Sequence, residues 1–470
     1  MQVRRFLRPA FAACVLATVH LTGACSASSP GSGKPPAITS VTPDATSFRS
    51  AATVTLSGSG FARDDQVSFG PLPAKVLEAT SDALHVQVPA AKKPMRVTIE
   101  VTAGQNSATS AQPFVFRGMA PEDLHFVDQG ALPVTASIFA AGDIDGDGKT
   151  DLVAATADHV ILLIGDGKLG FKQKADVALT ATSLVVASLG GKGETIVAGG
   201  ATLSLIKLSG GTLTATAVDG APAIVALATW PLADGADDVY AVTHGDSGYA
   251  LAKLEPGEKP SLETVFDLGA FQPVSLALAD VDGDGAVDAL LGGASEGPRL
   301  LLGDGHGAFG DAAAGTLPGS VAGAARFADL DVDGRLDIVI AAANGDRAWR
   351  NAGSIFADRT NELFGASGAR AAFEADVDAD AAIDRVGSAN GLTILRNDGS
   401  GHFFDYTVQA VPDAMRCSTA VFAADLDGDS DPELIVLAPD GADHLLQNWA
   451  PAAWDDKPGY GGAAACEAGP

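Results

Sequence analysis

The sequence predicts an all-β protein in which a small β-sandwich is followed by a seven-bladed β-propeller. Near the N-terminus, short segments alternate apolar and polar residues between Gly, Pro, Asp and Ser clusters, as half-buried strands do. From residue 118 onward, an Asp-rich string recurs between apolar segments, mostly every 47 to 49 residues. The 470 residues, 47% of them hydrophobic, are enough for more than one domain with a large core.

The N-terminal residues 1–24 are predicted to be a lipoprotein-type signal peptide. Three arginines precede an apolar stretch over residues 11–21, which is shorter than the roughly 20 helical residues that span a bilayer. Residues 21–25, Leu-Thr-Gly-Ala-Cys, resemble a bacterial lipobox. This resemblance implies lipidation of Cys25, and ordinary cleavage after Ala24 or Ala27 is the alternative. Residues 25–36 are then a flexible Ser/Gly/Pro tether.

These segments predict an exported protein that a lipid anchors in the bacterial cell envelope, at the outer membrane or the cell surface. Acidic residues outnumber basic ones by 58 to 30, which gives a formal net charge of −28. Such a surface repels nucleic-acid phosphates and anionic lipid headgroups. We therefore expect no nucleic-acid partner and membrane contact only through the lipid anchor. We also expect a monomer.

Two cysteines remain if Cys25 is acylated, and an even number in an oxidising compartment favours a disulfide. A bond between Cys417 and Cys466 would join the C-terminal tail, residues 451–470, to the last folded unit. Two free thiols are the alternative.

Residues 37–117 are predicted to form the small sandwich. Several short sequences fall along it in a recognisable order: Ile-Thr-Ser-Val-Thr-Pro from Ile38, Gly-Ser-Gly-Phe from Gly58, Val-Ser-Phe-Gly from Val67 and Phe-Val-Phe from Phe114. In this order they resemble an IPT/TIG domain. The resemblance implies an immunoglobulin-like sandwich that serves as a spacer or interaction module, and its sequence indicates no site.

Residues 118–450 are predicted to form the propeller. Five Asp-rich loops begin at Asp143, Asp280, Asp329, Asp376 and Asp425, which are 137, 49, 47 and 49 residues apart. The longest gap is close to three periods and contains two degenerate units, so there are seven units of about four strands each. A four-stranded sheet repeated seven times is the signature of a β-propeller. The seventh unit lacks a fourth strand, and residues 124–133 are predicted to complete it and close the ring.

The Asp-rich loops, with their Phe-Gly and Gly-Asp-Gly turns, resemble FG-GAP/VCBS repeats, as in integrin-type propellers and many bacterial exported proteins. We name them loops 1, 4, 5, 6 and 7 after their units. Each has acidic residues at positions 1, 3, 5 and 9, and loops 1, 4 and 5 have Gly at position 6. Loop 6 has Ala381 there, and loop 7 has Ser430 there and Glu433 at position 9.

Four carboxylates on one tight loop, with a carbonyl and water, can supply the six to eight oxygens that calcium takes at about 2.3–2.6 Å. Without a cation these carboxylates repel one another, so we predict calcium as a structural cofactor. The predicted ligands are Asp143, Asp145, Asp147, Asp151, Asp280, Asp282, Asp284, Asp288, Asp329, Asp331, Asp333, Asp337, Asp376, Asp378, Asp380, Asp384, Asp425, Asp427, Asp429 and Glu433.

The sequence contains no additional catalytic domain and no paired carboxylates apart from the metal loops. It therefore favours a non-enzymatic protein for cell-surface binding or adhesion, with a protein or glycan ligand and with no catalytic residues. Two alternatives stay open because a fold alone does not decide function. One is a polysaccharide-active hydrolase or lyase that uses the propeller as its scaffold, and the other is a purely structural envelope protein.

Overall fold

The computed structural model describes residues 34–48, 52–91, 94–117, 124–190, 193–364, 371–387, 391–429 and 431–448. The predicted signal peptide, Cys25, Cys466 and the C-terminal tail lie outside these residues. The described part is nearly all β, with two short helices, α1 (Thr360–Leu363) and α2 (Thr407–Ala410), and a 3-10 helix at Asp413–Met415. In this part of the chain, no helix has the length and apolarity needed to cross a membrane.

Ten strands form the N-terminal domain. They are β1 (Ala37–Thr42), β2 (Ala45–Ser47), β3 (Thr53–Ser59), β4 (Gln66–Phe69), β5 (Leu72–Ala79), β6 (Ala83–Gln87), β7 (Met95–Val97), β8 (Ile99–Ala103), β9 (Asn106–Thr109) and β10 (Phe114–Arg117). One sheet has the order β1-β3-β6-β5-β4-β8-β9, and the other has the order β2-β10-β7.

The two sheets share one hydrophobic core, to which alternate residues of the strands contribute. Val54 and Leu56 of β3 are fully buried in this core. Phe69 of the larger sheet meets Phe114 of the smaller one edge to face, with ring centroids 4.9 Å apart. This alternation is what the sequence predicts for a sandwich whose outer faces are in water.

The following 28 strands form seven four-stranded antiparallel sheets within the described residues. Sheet 1 contains β12 (Ile138–Gly142), β13 (Asp151–Ala155), β14 (His159–Gly165) and β15 (Phe171–Ala178). Sheet 2 contains β16 (Ser183–Ala187), β17 (Thr195–Gly199), β18 (Leu203–Ser209) and β19 (Thr212–Ala217). Sheet 3 contains β20 (Ala223–Pro231), β21 (Asp237–Gly245), β22 (Gly248–Glu255) and β23 (Ser261–Gly269).

Sheet 4 contains β24 (Pro273–Ala279), β25 (Asp288–Gly293), β26 (Arg299–Gly303) and β27 (Phe309–Asp311), and sheet 5 contains β28 (Ala324–Ala328), β29 (Asp337–Ala341), β30 (Arg347–Asn351) and β31 (Phe356–Asp358). Sheet 6 contains β32 (Ala371–Ala375), β33 (Asp384–Gly387), β34 (Thr393–Asn397) and β35 (Phe403–Asp405). Sheet 7 contains β11 (Phe126–Ala131), β36 (Thr419–Ala424), β37 (Glu433–Leu437) and β38 (Asp443–Asn448). Sheet 7 has the order β11-β38-β37-β36, so its outer strand comes from the start of the repeat region. Phe126 of β11 pairs with Asn448 of β38.

Hydrophobic side chains pack between each pair of neighbouring sheets and also between sheets 7 and 1. The second strand of each sheet is buried on both faces, as in β13 and β25, which is why these strands are continuous apolar runs. The fourth strands are the most exposed, as in β15. The described residues thus form an all-β, propeller-like fold in which the last sheet packs against the first.

Candidate metal centres and an adjacent cleft

The five acidic loops join the first and second strands of sheets 1, 4, 5, 6 and 7. Because each joins the same pair of strands, they lie at equivalent places around the array. In loops 1, 4, 5 and 6 position 6 is left-handed, with φ of +87° at Gly285 and +66° at Ala381. Position 4 is left-handed as well, with φ of +55° at Val332 and +50° at Ala379. Glycine, which loops 1, 4 and 5 have at position 6, adopts this conformation without strain.

The position 1 carboxylate shapes each loop from within. Asp280 Oδ1 accepts hydrogen bonds from the amides of Gly283 (2.8 Å) and Asp284 (3.0 Å), and its Oδ2 accepts one from Gly285 (2.9 Å). Asp143 accepts the equivalent bonds in loop 1. These bonds fold the loop around its position 1 carboxylate.

The position 9 carboxylate begins the second strand and is fully buried. Asp288 Oδ2 accepts the amide of Val281 at 2.8 Å, and its Oδ1 accepts the amide of Gly303, at the end of the third strand, at 2.9 Å. Burial raises the pKa of Asp288, and in loop 5 it raises the pKa of Asp337 to about 7. This residue therefore ties the loop to the sheet, a role that spacing alone did not reveal.

The structure brings three acidic residues of each loop together, with one oxygen of each within 4.8 Å of the others. These carboxylate clusters could hold metal ions. Their members are Asp143, Asp145 and Asp151; Asp280, Asp282 and Asp288; Asp329, Asp331 and Asp333; Asp376, Asp378 and Asp384; and Asp425, Asp427 and Glu433.

The fourth predicted ligand of each loop lies outside its cluster. In loops 1, 4, 6 and 7 this is the residue at position 5, and in loop 5 it is Asp337 at position 9. The position 5 carboxylate turns back to accept the amide two residues later, as Asp284 does from Ala286 at 2.7 Å. Metal coordination stays a prediction for all of the proposed ligands, and position 5 belongs to a cluster only in loop 5.

Loop 7 shows how a cation could fit such a cluster, through a buried oxygen without a hydrogen-bond partner; Asp331 Oδ1 in loop 5 and Asp378 Oδ1 in loop 6 are in the same state among the described residues. Glu433 is fully buried, its Oε2 accepts the amide of Leu426 at 2.8 Å, and its Oε1 has no hydrogen-bond partner in the described part of the chain. Burial and the nearby Asp427, Asp429 and Asp425 carboxylates raise the pKa of Glu433 to about 9. A cation would satisfy the unpaired oxygen and offset this charge.

A set of asparagines that the sequence analysis missed links neighbouring sheets. Asn351, Asn397 and Asn448 each end the third strand of their sheet. Their side-chain amides donate to the backbone carbonyls at position 2 of the preceding loop, with Nδ2 of Asn397 2.8 Å from the oxygen of Leu330. Their recurrence at the same strand position was the available signal.

Cys417 is disulfide-bonded. Its predicted partner, Cys466, lies outside the described residues, so the pairing stays a prediction. Trp349 of β30 is 1% exposed and lies in the hydrophobic core between sheets 4 and 5.

A cleft of about 340 Å³ lies between sheets 3 and 4, beside loop 4. Sheet 3 contributes the half-buried Trp230 together with Tyr240 and Lys253, and sheet 4 contributes the hairpin 303–309. Residues 285–287 of loop 4 form part of the wall. The Tyr240 and Phe309 rings meet edge to face, 5.7 Å apart. The cleft therefore combines aromatic surface with polar groups.

The charged groups of the cleft are each held in place. Lys253 Nζ lies 3.0 Å from Asp238 Oδ2. Asp304 accepts the amides of His306 and Ala308 at 2.8 and 3.0 Å, and these hydrogen bonds lower its pKa. Burial, with the Asp238 and Glu255 carboxylates, raises the pKa of Tyr240 to about 12. Near neutral pH the cleft thus presents a neutral phenol and fixed ionic partners.

Comparison with protein families identifies two kinds of module. Residues 36–116 match the IPT/TIG domain, and residues 280–340 and 376–436 match the FG-GAP-like repeat. These matches support the IPT/TIG and FG-GAP resemblances over those residues, and loop 1 lies outside the matched ranges. No curated protein sequence matches the chain.

Several solved structures are similar to the chain at low identity. An auxiliary nutrient binding protein from Bacteroides ovatus is 11% identical with a TM-score of 0.39, and the match covers 90% of this chain and 99% of that one. A lectin from Agrocybe aegerita that recognises non-reducing terminal N-acetylglucosamine is 17% identical with a TM-score of 0.40, over 72% and 92% of the two chains. The function of this chain is therefore inferred from its own residues.

Proposed function

We propose that this chain is an exported, lipid-anchored, non-enzymatic binding or adhesion protein, in which a calcium-loaded seven-bladed propeller holds a glycan ligand at the cell surface. The observation that carries the proposal is that a carboxylate cluster and an aromatic cleft share loop 4. Gly285 lines the cleft, and its amide is bound by the cluster residue Asp280 at 2.9 Å. A cation at the cluster would fix this wall of the cleft.

The seven-bladed ring is supported by the contacts between the sheets. Seven hydrophobic clusters lie between consecutive sheets, and one of them joins Phe139 and Leu152 of sheet 1 to Ile435 and Leu445 of sheet 7. A closed ring leaves only short edges exposed and so protects the sheets from pairing with other chains.

Calcium is the cation that suits the clusters best. Each cluster offers only carboxylate oxygens, which favour a hard cation such as calcium or magnesium. Calcium accepts irregular shells that carbonyl and water oxygens can complete, whereas magnesium demands a near-ideal octahedron and usually binds through one or two carboxylates. Three carboxylates on one loop therefore favour calcium.

A binding role is favoured by the state of the charged groups in the cleft. A general acid or base works best with a pKa near the operating pH. Lys253 is instead paired with Asp238, and the pKa of Asp304 is lowered by two backbone amides. These groups suit the positioning of a bound ligand better than proton transfer.

A glycan fits the mixture of surfaces in the cleft. An aromatic ring such as that of Trp230 offers a flat apolar face for the C–H side of a sugar, and the charged groups nearby can bind hydroxyls. At protein interfaces, aromatic anchors commonly contribute more than about 1 kcal/mol to binding, and we expect a similar contribution from Trp230.

A glycan array with the mature, calcium-loaded protein tests this function. We expect binding that Trp230→Ala weakens by about tenfold or more and that a chelator reduces. The matched control is Phe404→Ala, because Phe404 is 56% exposed on sheet 6, away from the cleft. Binding that survives both Trp230→Ala and chelation would contradict this site. Capture of a protein instead would favour a protein ligand, and turnover of a polysaccharide would favour an enzyme.

Anchoring depends on Cys25, the last residue of the lipobox-like segment. With wild-type Cys25, the protein should fractionate with membranes and incorporate labelled fatty acid. Cys25→Ala should abolish both, because one anchored residue is the predicted membrane contact. A variant that still incorporates fatty acid would contradict the assignment of this cysteine.

A further inference from the structure

Five similar acidic loops face two different environments in the structure. The residue before the last in each third strand lies beside the loop of the same sheet. It is Arg350 in sheet 5 and Arg396 in sheet 6, whereas sheets 1, 4 and 7 have Ile164, Leu302 and Gln447 there.

Both arginines bind the loop carboxylates directly. Arg396 Nε contacts Asp378, and its Nη2 lies 3.5 Å from Asp380 Oδ2. Arg350 contacts Asp331, and its Nη2 lies 3.2 Å from Asp333 Oδ2. In loop 5 a second guanidinium, that of Arg335, also contacts Asp333.

In loop 6 the second guanidinium comes from the N-terminal sandwich. Arg96 of β7 places Nη2 2.5 Å from Asp380 Oδ2 and donates from Nε to the Asp380 carbonyl at 3.0 Å. Both side chains are buried, at 9% and 2% exposure. Arg96 also lies against Gly399, where an added Cβ would come within 2.1 Å of its Nη1. Gly353, the equivalent residue of sheet 5, has open space at that point.

The two guanidiniums carry the same charge as one divalent cation. Loop 6 has four carboxylates, at Asp376, Asp378, Asp380 and Asp384, and two arginines in contact with them. Loop 5 has the same balance through Arg335 and Arg350. The two equivalent positions in loop 4 are Ala286 and Leu302, which carry no charge.

We propose that loop 6 is the docking site of the N-terminal sandwich and that Arg96 and Arg396 take the place of a metal ion there. In loop 5, Arg335 and Arg350 take the place of a metal ion in the same way. Calcium then binds only loops 1, 4 and 7. This stoichiometry rests on the proposed calcium role, whereas the docking of Arg96 does not. Loop 6 keeps the shape of the other loops, because Asp376 accepts the amides of Asp380 at 2.9 Å and Ala381 at 2.8 Å.

Counting bound calcium by native mass spectrometry of the full mature chain tests whether arginines replace the metal ion in loops 5 and 6. The wild-type protein should bind three ions, and the double variant Arg96→Ala/Arg396→Leu should bind four. Arg299→Leu is the control, because Arg299 is a third-strand arginine that pairs with Asp311 instead of a loop, and it should leave the count at three. Five ions in the wild type, or no gain in the double variant with native circular dichroism, would overturn the proposal. No bound ion in the wild type would instead refute the calcium role.

Solution X-ray scattering in excess chelator tests, independently of metal, whether Arg96 docks the N-terminal sandwich on loop 6. Arg96→Glu should increase the radius of gyration of the chain, because the reversed charge repels Asp380. The charge-swapped double variant Arg96→Asp/Asp380→Arg should restore the wild-type value. An unchanged radius in Arg96→Glu would overturn the docking role of Arg96.

Discussion

Removing calcium should lower the melting temperature of the protein by roughly 10 °C at pH 8. One site saturated at 100 times its Kd stabilises the native state by about 2.7 kcal/mol. Three such sites would contribute about 8 kcal/mol if they act independently. At about 2.1 cal/mol/K per residue, the roughly 330 residues of the propeller have an unfolding entropy of about 0.7 kcal/mol/K, so about 1 kcal/mol corresponds to a shift of roughly 1.4 °C. Thermal unfolding followed by circular dichroism, with calcium and with excess chelator, measures the difference.

The effect of calcium should fade at pH 5. Burial raises the pKa of Glu433 from 4.5 to about 9 and that of Asp427 from 3.8 to about 6. At a pH between the unfolded and native pKa values of these groups, the metal-free native state binds more protons than the unfolded state. The free energy of unfolding therefore falls as the pH rises from about 4 to about 9. Calcium needs ionised ligands and competes with these protons. The chelated protein should therefore melt at a higher temperature at pH 5 than at pH 8.

Two aspartate variants separate a metal effect from a general effect of charge. Asp282→Ala removes an exposed residue from the loop 4 cluster and should lower the calcium count by one. Asp234→Ala removes an exposed carboxylate whose Oδ1 accepts the amide of Ala236 in the short loop of sheet 3. It should leave the count unchanged. Equal melting curves with and without calcium at pH 8 would refute the stabilising role of the ion.

Replacing Phe126 by Ala should destabilise the propeller by about 3–5 kcal/mol, the usual cost of truncating a fully buried phenylalanine. Phe126 is 0% exposed and packs in the cluster between sheets 6 and 7 with Leu434 and Leu446. It belongs to β11, which covers the edge of β38. Loosening this strand would expose that edge to other chains, so the variant should also aggregate more readily. Chemical unfolding monitored by fluorescence, together with light scattering, measures both effects.

Val127→Ala is the matched control, because Val127 neighbours Phe126 in β11 but is only half-buried. Val127→Ala should lower the free energy of unfolding by distinctly less than Phe126→Ala does. If both variants unfold at the same denaturant concentration, β11 contributes little to the closure of the ring.

The repeat period and the acidic loops could be predicted because they depend on local patterns. A strand buried on both faces must be apolar, and a tight loop with several left-handed residues needs Gly or strained residues in fixed places. The sequence also indicated that residues 124–133 supply a missing strand, and β11 lies beside β38. The second left-handed position, position 4, is Gly in loops 1, 4 and 7, so a signal for it was available in the sequence. Val332 and Ala379 adopt the same conformation in loops 5 and 6 although neither residue type favours it.

By itself, the sequence determined the all-β fold, the order of the modules and the placement of carboxylates on five loops, since these follow from hydrophobic alternation and turn chemistry. Only the tertiary structure decided which charges meet those carboxylates. Arg96 and Asp380 are 284 residues apart, and nothing in the local pattern of either loop or strand relates them. A loop carboxylate faces a guanidinium or a leucine according to the third strand of its own sheet and, in loop 6, according to its contact with Arg96 of the N-terminal sandwich. The electrostatic energy of a loop carboxylate therefore depends on packing between distant segments, because this energy is set by distance and burial in the folded chain.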